Sequence, residues 1–341
     1  MSRPEPLGRG AGVGAAGRPE PPRAVSLLPA ATEIAGALGL LDRVLAVSHE
    51  CDAPPAAREK PRITRAVVDG IDTPGREVDA LVRERLAAGL DLYALDEELL
   101  RRLRPDVILS QELCAVCAPA YDSVSALAET LPGPPRVLSL EPESLEDVFG
   151  DVRRVAEALG EPERGDALVR ELRSRVEAVR EGASGAGRRP RVAVLEWLDP
   201  VFASGHWTPE LVAIAGGEEV LGRSGAPSAR SDWDAVAEAR PEVVVVACCG
   251  WPVERALHEW QAVREEPGIR KRIEGLPAAA YGRIHVCDGS AYFSRPGPRL
   301  VDSLEILATL LHPDRFAGRL PDPAERGVVR APSGAPAGVC R

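Results

Sequence analysis

From residue 23 the chain alternates short runs of β-branched and leucine residues with stretches whose apolar positions recur every three or four residues. RAVSLL (23–28), RVLAVS (43–48), DVILS (106–110) and RVLSL (136–140) have the length and character of buried strands. Between them, PAATE leads into IAGALGL with Thr32 as a plausible N-cap, and helix is expected at about 76–88, 96–103 and 119–130. Strands alternating with helices predict parallel βα units. From Ser144 to about Glu181 the pattern is almost wholly helical, with one jog at Gly160-Glu161-Pro162. The βα rhythm then returns. RVAVLEW (191–197), EVVVVACC (242–249) and RIHVCDG (283–289) read as strands, and RPGPRLVDSLEILATLLHP reads as a closing helix with its prolines in the first turn.

The expected architecture is therefore α/β, with parallel-sheet lobes at 23–142 and 190–315 joined by a helical strut at 143–183. Residues 1–22 and 316–341 are expected as loose tails, since Gly, Pro and Arg dominate the first and Pro, Gly and Ala the second. The first residues contain no apolar run of signal length, which predicts a cytoplasmic protein; a misassigned start would leave export as the alternative.

Composition narrows the function. The net charge is −10, without a long basic run, which argues against a nucleic-acid partner. Seven cysteines at uneven spacing read as thiols or ligands rather than a disulfide framework. Aromatic residues make up only 4% of the chain, so each can be traced individually.

Ligands of parallel α/β sheets sit outside the carboxyl ends of the strands. Those ends here hold Pro29, Ala30 and Thr32, then His49, Glu50, Cys51 and Asp52, then Glu112 to Cys117. In the second half they hold Glu196 and Trp197, His206 and Trp207, Cys248, Cys249 and Trp251, and Tyr292 and Phe293. Soft ligands and scarce aromatics gathered at strand ends point to a cleft for something planar, apolar or metallic. Cys114 and Cys117 keep three readings. They suit a redox pair activated by a following helix, as in a thiol oxidoreductase, or half of a zinc site completed by His49 and Cys51. They also suit small apolar thiols that shape the cleft. His49 and His206 suit a ligand's metal or its polar rim, and Trp197, Trp207, Trp251, Tyr292 and Phe293 suit stacking on a macrocycle or interlobe core. Glu50, Asp52, Glu112 and Glu196 are candidates for acid–base work, but no G-x-S-x-G, H-E-x-x-H or phosphate-binding glycine loop supports an enzyme.

VSLLPAATEIAGALGL, RVLAVSHECDAPP, LRPDVILS, ASGHWTPELVAIAGGEEVLG, DWDAVAEARPEVVVVA and YFSRPGPRLVDSLEIL resemble, in order, the motifs of the vitamin B12 and iron-chelate periplasmic-binding protein superfamily. The resemblance covers about residues 23–313 and is strongest to a cobalamin-binding-like subgroup. It implies two Rossmann-like lobes joined by one long helix, with the ligand in the cleft between them. It also implies a substrate-binding protein for a corrinoid or related metal chelate, serving an ABC-type uptake system. Glu33, Glu97 and Glu98 would then be carboxylates that dock a membrane permease. Residues 62–95 form a longer stretch than typical B12-binding members carry there. A cytosolic metal-binding protein or metalloenzyme using the Cys- and His-rich cleft, with zinc a candidate metal, is the alternative reading.

Overall fold

A computed structural model describes residues 20–67, 73–112 and 119–331. Strand β1 (Ala24–Ser26) is buried along its length, as an uncharged run must be when helices cover both sheet faces. It leads into α1 (Pro29–Ala37), followed by β2 (Val44–Val47). The longer stretch supplies strand β3 (Thr64–Ala66), helix α2 (Gly75–Ala87) and strand β4 (Tyr93–Leu95), and α3 (Glu97–Leu103) follows. β5 (Val107–Ser110), α4 (Tyr121–Glu129) and β6 (Arg136–Ser139) complete the lobe. β2, β1, β5 and β6 lie side by side in that order as a parallel sheet. β3 and β4 pair antiparallel as a separate ribbon at the foot of α2, a feature absent from the sequence reading.

The linking segment is two helices, α5 (Leu145–Ala158) and α6 (Pro162–Ser184). Ser144 and Asp147 close a capping box at the start of α5. The jog expected at Gly160-Glu161-Pro162 is a full reversal, with Gly160 at φ 77°. Gly165 lies against Ala156, Arg153 pairs with Asp166 and Arg173 with Glu146, so the helices run antiparallel. The long helix that joins the lobes is thus α6 alone, 23 residues and about 34 Å at 1.5 Å per residue. α5 packs back on α1.

The second lobe opens with β7 (Arg191–Leu198), β8 (Val201–Ala203), α7 (Thr208–Ile214), β9 (Glu218–Glu219) and β10 (Ala229–Ser231). It continues through α8 (Trp233–Ala239), β11 (Val243–Val246), α9 (Val253–Glu265), α10 (Pro267–Glu274) and α11 (Pro277–Ala280). β12 (Ile284–Val286), α12 (Leu300–Leu311), α13 (Pro313–Phe316) and β13 (Val329–Arg330) close it. The sheet order is β10-β8-β7-β11-β12-β13, with β9 beside β7. β7, β11 and β12 are parallel, while β8, β10 and β13 add antiparallel edges. Residues 316–331, expected to be loose, instead bury Phe316, Val328 and Ala331 and extend the sheet edge through β13.

One apolar cluster runs from Leu28 and Ile34 of the first lobe, through Val148 and Val176 of the helical hairpin, to Val194 and Leu304 of the second. The lobes therefore share a core on the hairpin side. Next to it, two arginines from the loop before α12 cross to the first lobe. Arg299 donates Nε to Glu33 at 2.9 Å and Nη2 to the other carboxylate oxygen at 2.5 Å. Arg295 donates to Glu33 at 3.1 Å, to Asp52 at 2.5 Å and to the Glu50 carbonyl at 3.2 Å. Glu33 is 5% exposed and Arg295 8%. Glu33 is consequently not a surface docking carboxylate, which corrects that expectation.

Breaking such a buried pair from one side strands the remaining charge, at a cost of about 3–5 kcal/mol. Glu33→Gln should lower the unfolding free energy by about 3 kcal/mol in a denaturant titration, whereas an effect of a surface pair, under about 1 kcal/mol, would contradict the clamp. Burial alone would raise the Asp52 pKa, but the hydrogen bond and charge of Arg295 hold it below the ordinary aspartate value. Its stabilisation is therefore present above that ordinary value and lost as pH falls through the lowered one. Asp52→Asn should flatten the acid limb of stability against pH; an identical acid limb in the variant would show that the bridge does not form.

Candidate ligand cleft

In the first lobe, β1 ends in a hydrogen-bonded knot. The Thr32 hydroxyl donates to Ser26 Oγ at 2.8 Å and lies 3.1 Å from Cys51 Sγ. Pro29, Ala30 and Thr32 are all buried, and the Ala30 carbonyl faces Gly297 of the opposite lobe. Cys51 is buried as well, which pushes its thiol up to about 11 despite the Thr32 bond. The loop after β2 is held by Arg62, which donates to the carbonyls of Ser48 at 2.9 Å and Cys51 at 2.7 Å. His49 is half-buried, with Nδ1 2.8 Å from the Thr64 hydroxyl and its ring 5.4 Å from that of Tyr93. Burial, then the Arg62 charge, lowers its pKa, so the imidazole is neutral at pH 7. The Glu50 side chain is exposed.

In the second lobe, the last residues of β7 include Glu196 and Trp197. Glu196 accepts from the Ser228 hydroxyl at 2.5 Å and the Gly205 N–H at 3.3 Å, which fixes the loop that carries His206. His206 takes a left-handed backbone (φ 49°), its N–H donating to the Ala226 carbonyl at 2.7 Å. Its buried Nδ1 has no partner among the described residues, and burial lowers its pKa while Glu143, just before α5, opposes the shift. Trp197 and Trp251 form a tilted pair with ring centroids 4.2 Å apart, and Arg255 covers Trp251 at 4.2 Å. The loop after β12 packs directly on that after β11. A side chain at Gly289 would stand 2.1 Å from the Cys248 carbonyl, so only glycine fits. Tyr292 is half-buried with the Arg299 guanidinium 5.7 Å from its ring centre.

Several expectations are corrected. Trp207 and Phe293 sit in the core, and the Trp207 indole N–H is spent on the Phe293 carbonyl at 2.7 Å, so neither ring is offered to a ligand. Cys249 is exposed, whereas Cys248 and Cys287 are buried with thiols pushed up by that burial. His49 and Cys51 engage different partners, and among the described residues no group of three or more His, Cys, Asp or Glu is placed to hold a metal ion. Cys114 and Cys117 lie outside the described residues. Of the acid–base candidates, Asp52 and Glu196 are committed to holding the loops.

Sequence reasoning missed Arg295 and Arg299 as the residues that bring the two sets of loops together, although both stand in the motif YFSRPGPRL. It also missed Tyr93, whose ring faces His49. A cavity of about 360 Å³ lies beside that ribbon, lined by Tyr93, Leu95, Glu97, Ala120, Val124 and Leu127. A second, of about 320 Å³, lies within the other lobe between Arg189, Glu219 and Gly222. Neither cavity is in the seam, where the crossing residues keep the lobes in contact.

Residues 25–291 match the family profile described as periplasmic binding protein. A vitamin B12-binding protein of Vibrio cholerae serotype O1 (strain ATCC 39541) is 24% identical over 293 residues, covering 85% of this chain and 88% of the relative. Among solved structures, the periplasmic vitamin B12 binding protein of Vibrio cholerae superposes with a TM-score of 0.61 at 20% identity, over 85% of this chain and 96% of that one. The apo periplasmic heme-binding protein from Roseiflexus sp. RS-1 superposes with a TM-score of 0.63 at 24% identity, over 86% and 98%. Both solved relatives are periplasmic proteins, which overturns the cytoplasmic placement read from the first residues. With its profile match spanning both lobes and the seam between them, the chain belongs to the periplasmic binding protein family.

Proposed function

We propose that the protein captures a planar metal chelate of the corrinoid or haem class between its lobes and presents it to the membrane permease of an ABC-type uptake system, outside the cytoplasm. It retains and releases the ligand without turning it over, in keeping with a family made up of substrate-binding proteins. The observation that carries this reading is His206. A neutral imidazole at the interlobe seam, with a buried Nδ1 left without a partner among the described residues, is a donor available to the metal or the polar rim of such a ligand. His49 on the first lobe and Tyr292 and Trp197 on the second, each half-buried near the strand ends, supply a second imidazole, a phenol and a stacking ring. Pro29, Ala30, Glu50 and Trp251 follow the carboxyl ends of β1, β2 and β11. Glu97 and Glu98 are exposed on α3 beside Arg101 and Arg102, and offer carboxylates to a permease.

The metal-carrier reading has less support, because among the described residues His49 and Cys51 engage different partners and no group of three or more His, Cys, Asp or Glu is placed to hold a metal ion. Titration of the purified protein with hemin and with aquocobalamin should change the visible spectrum of one of them and raise the melting temperature. At a ligand concentration 100 times Kd the stabilisation should be about 2.7 kcal/mol. His206→Ala should weaken that binding at least about tenfold, a loss of about 1.4 kcal/mol, and leave the ligand-free melting curve in place. No spectral change and no thermal shift with either compound would overturn the proposal.

A further inference from the structure

Helix α2 belongs to the first lobe through its β3–β4 ribbon, yet its N-terminus is seated on the second. Pro74 at its N-cap has no side chain that can cap. Glu259 of α9 takes that role from across the cleft, accepting the Gly75 N–H at 3.0 Å. A carboxylate there satisfies an orphan donor and meets the positive end of the helix dipole. Trp197 Nε1 donates to the Gly75 carbonyl at 3.2 Å, and Arg255 donates to the Thr73 carbonyl. Arg76 pairs with Asp199 at 3.0 Å and with Glu266, and Arg230 reaches Asp79 at 3.7 Å.

The seat is built for this one position. A Cβ on Gly75 would stand 2.7 Å from the Glu259 carboxylate and 3.2 Å from the Trp197 indole nitrogen. Gly75 is also the sole buried residue of the 13 in α2; Leu81 and Leu86, farther along, are exposed. With Val78, Val82 and Arg85 only half-buried, the 13-residue helix has little apolar burial to hold it between its ends. The seat itself lies at the carboxyl end of β7 and on the helix that follows β11, which is the lip of the proposed cleft. Glu259 keeps Arg255 at 3.8 Å, so the buried carboxylate retains a countercharge when the helix leaves.

We propose that α2 is a strap across the mouth of the cleft, latched by the cap that Glu259 of one lobe provides to the helix N-terminus of the other, and that ligand enters when this latch releases. Release frees the edge of Trp197, one of the rings assigned to the ligand, so the gating half of the proposal rests on the function proposed above. The latch itself does not.

Gly75→Ala separates the alternatives, because alanine is the better helix former and yet its Cβ would force the Glu259 carboxylate to shift from the helix end. Hydrogen exchange over residues 75–87 should become at least about tenfold faster in Gly75→Ala, with the exchange of β7 and β11 unchanged. Glu259→Gln, which weakens the charge at the cap, should move exchange the same way by a smaller factor. Exchange unchanged or slowed in Gly75→Ala would overturn the latch. In stopped-flow mixing with hemin and aquocobalamin, the ligand that binds should associate faster with Gly75→Ala than with the wild type. Equal rates with a released α2 would overturn the gate. If neither compound binds either protein, the proposed ligand class fails, and the exchange result still decides the latch.

Discussion

The structure depends on one buried ionic contact between its halves, the Glu33 carboxylate held by Arg295 and Arg299. Burying a carboxylate charge is costly unless it is paired, and among the described residues the first lobe supplies no guanidinium to pair with Glu33. The second lobe does, from the loop that follows β12. The same loop brings Tyr292 to the seam and ties down Asp52 and the Glu50 carbonyl. On the hairpin side the lobes already share an apolar core through α5 and α6. Apolar burial on one flank and a hydrogen-bonded ion cluster within the seam therefore set the separation of the strand-end loops, and so the shape of the space a ligand would occupy.

That arrangement sorts the polar groups near the seam into those that hold the frame and those left over. Asp52, Glu196, Thr32 and Arg62 are committed to loops. The Trp207 indole is committed to the core. What is left is imidazole and aromatic surface at His49, His206 and Tyr292 and the ring face of Trp197, with His206 Nδ1 a buried atom that lacks a partner among the described residues. A site of neutral nitrogen donors and ring faces suits a large, flat, metal-centred ligand better than it suits acid–base chemistry.

Much of this is written locally in the chain, and the part that is not has a physical reason. Buried strands such as Val243–Val246 announce themselves because an uncharged β-branched run has few alternatives. The reversal at Gly160-Glu161-Pro162 could be placed by its residues but not given its angle, since that angle follows from Gly165 packing on Ala156 and from the Arg173–Glu146 pair. β13 escaped because two exposed residues carry no periodicity; its place comes from the free edge of β12. Glu33 looked like a surface carboxylate because its partners are more than 260 positions away in sequence. The aromatic loops were found by composition, but which rings face the seam depends on hydrogen bonds such as that from Trp207 to Phe293.

The separation of the lobes in solution is the direct test of the clamp. Glu129 on α4 and Glu274 on α10 are exposed, one on each lobe, and can carry bio-orthogonal spin labels that spare the native thiols. Pulsed electron paramagnetic resonance on the ligand-free protein should give a single narrow distance, and Arg295→Gln should broaden it. A broad or two-peaked distribution in the wild type, or one that Arg295→Gln leaves untouched, would show that the lobes are not held by the Glu33–Arg295–Arg299 contact.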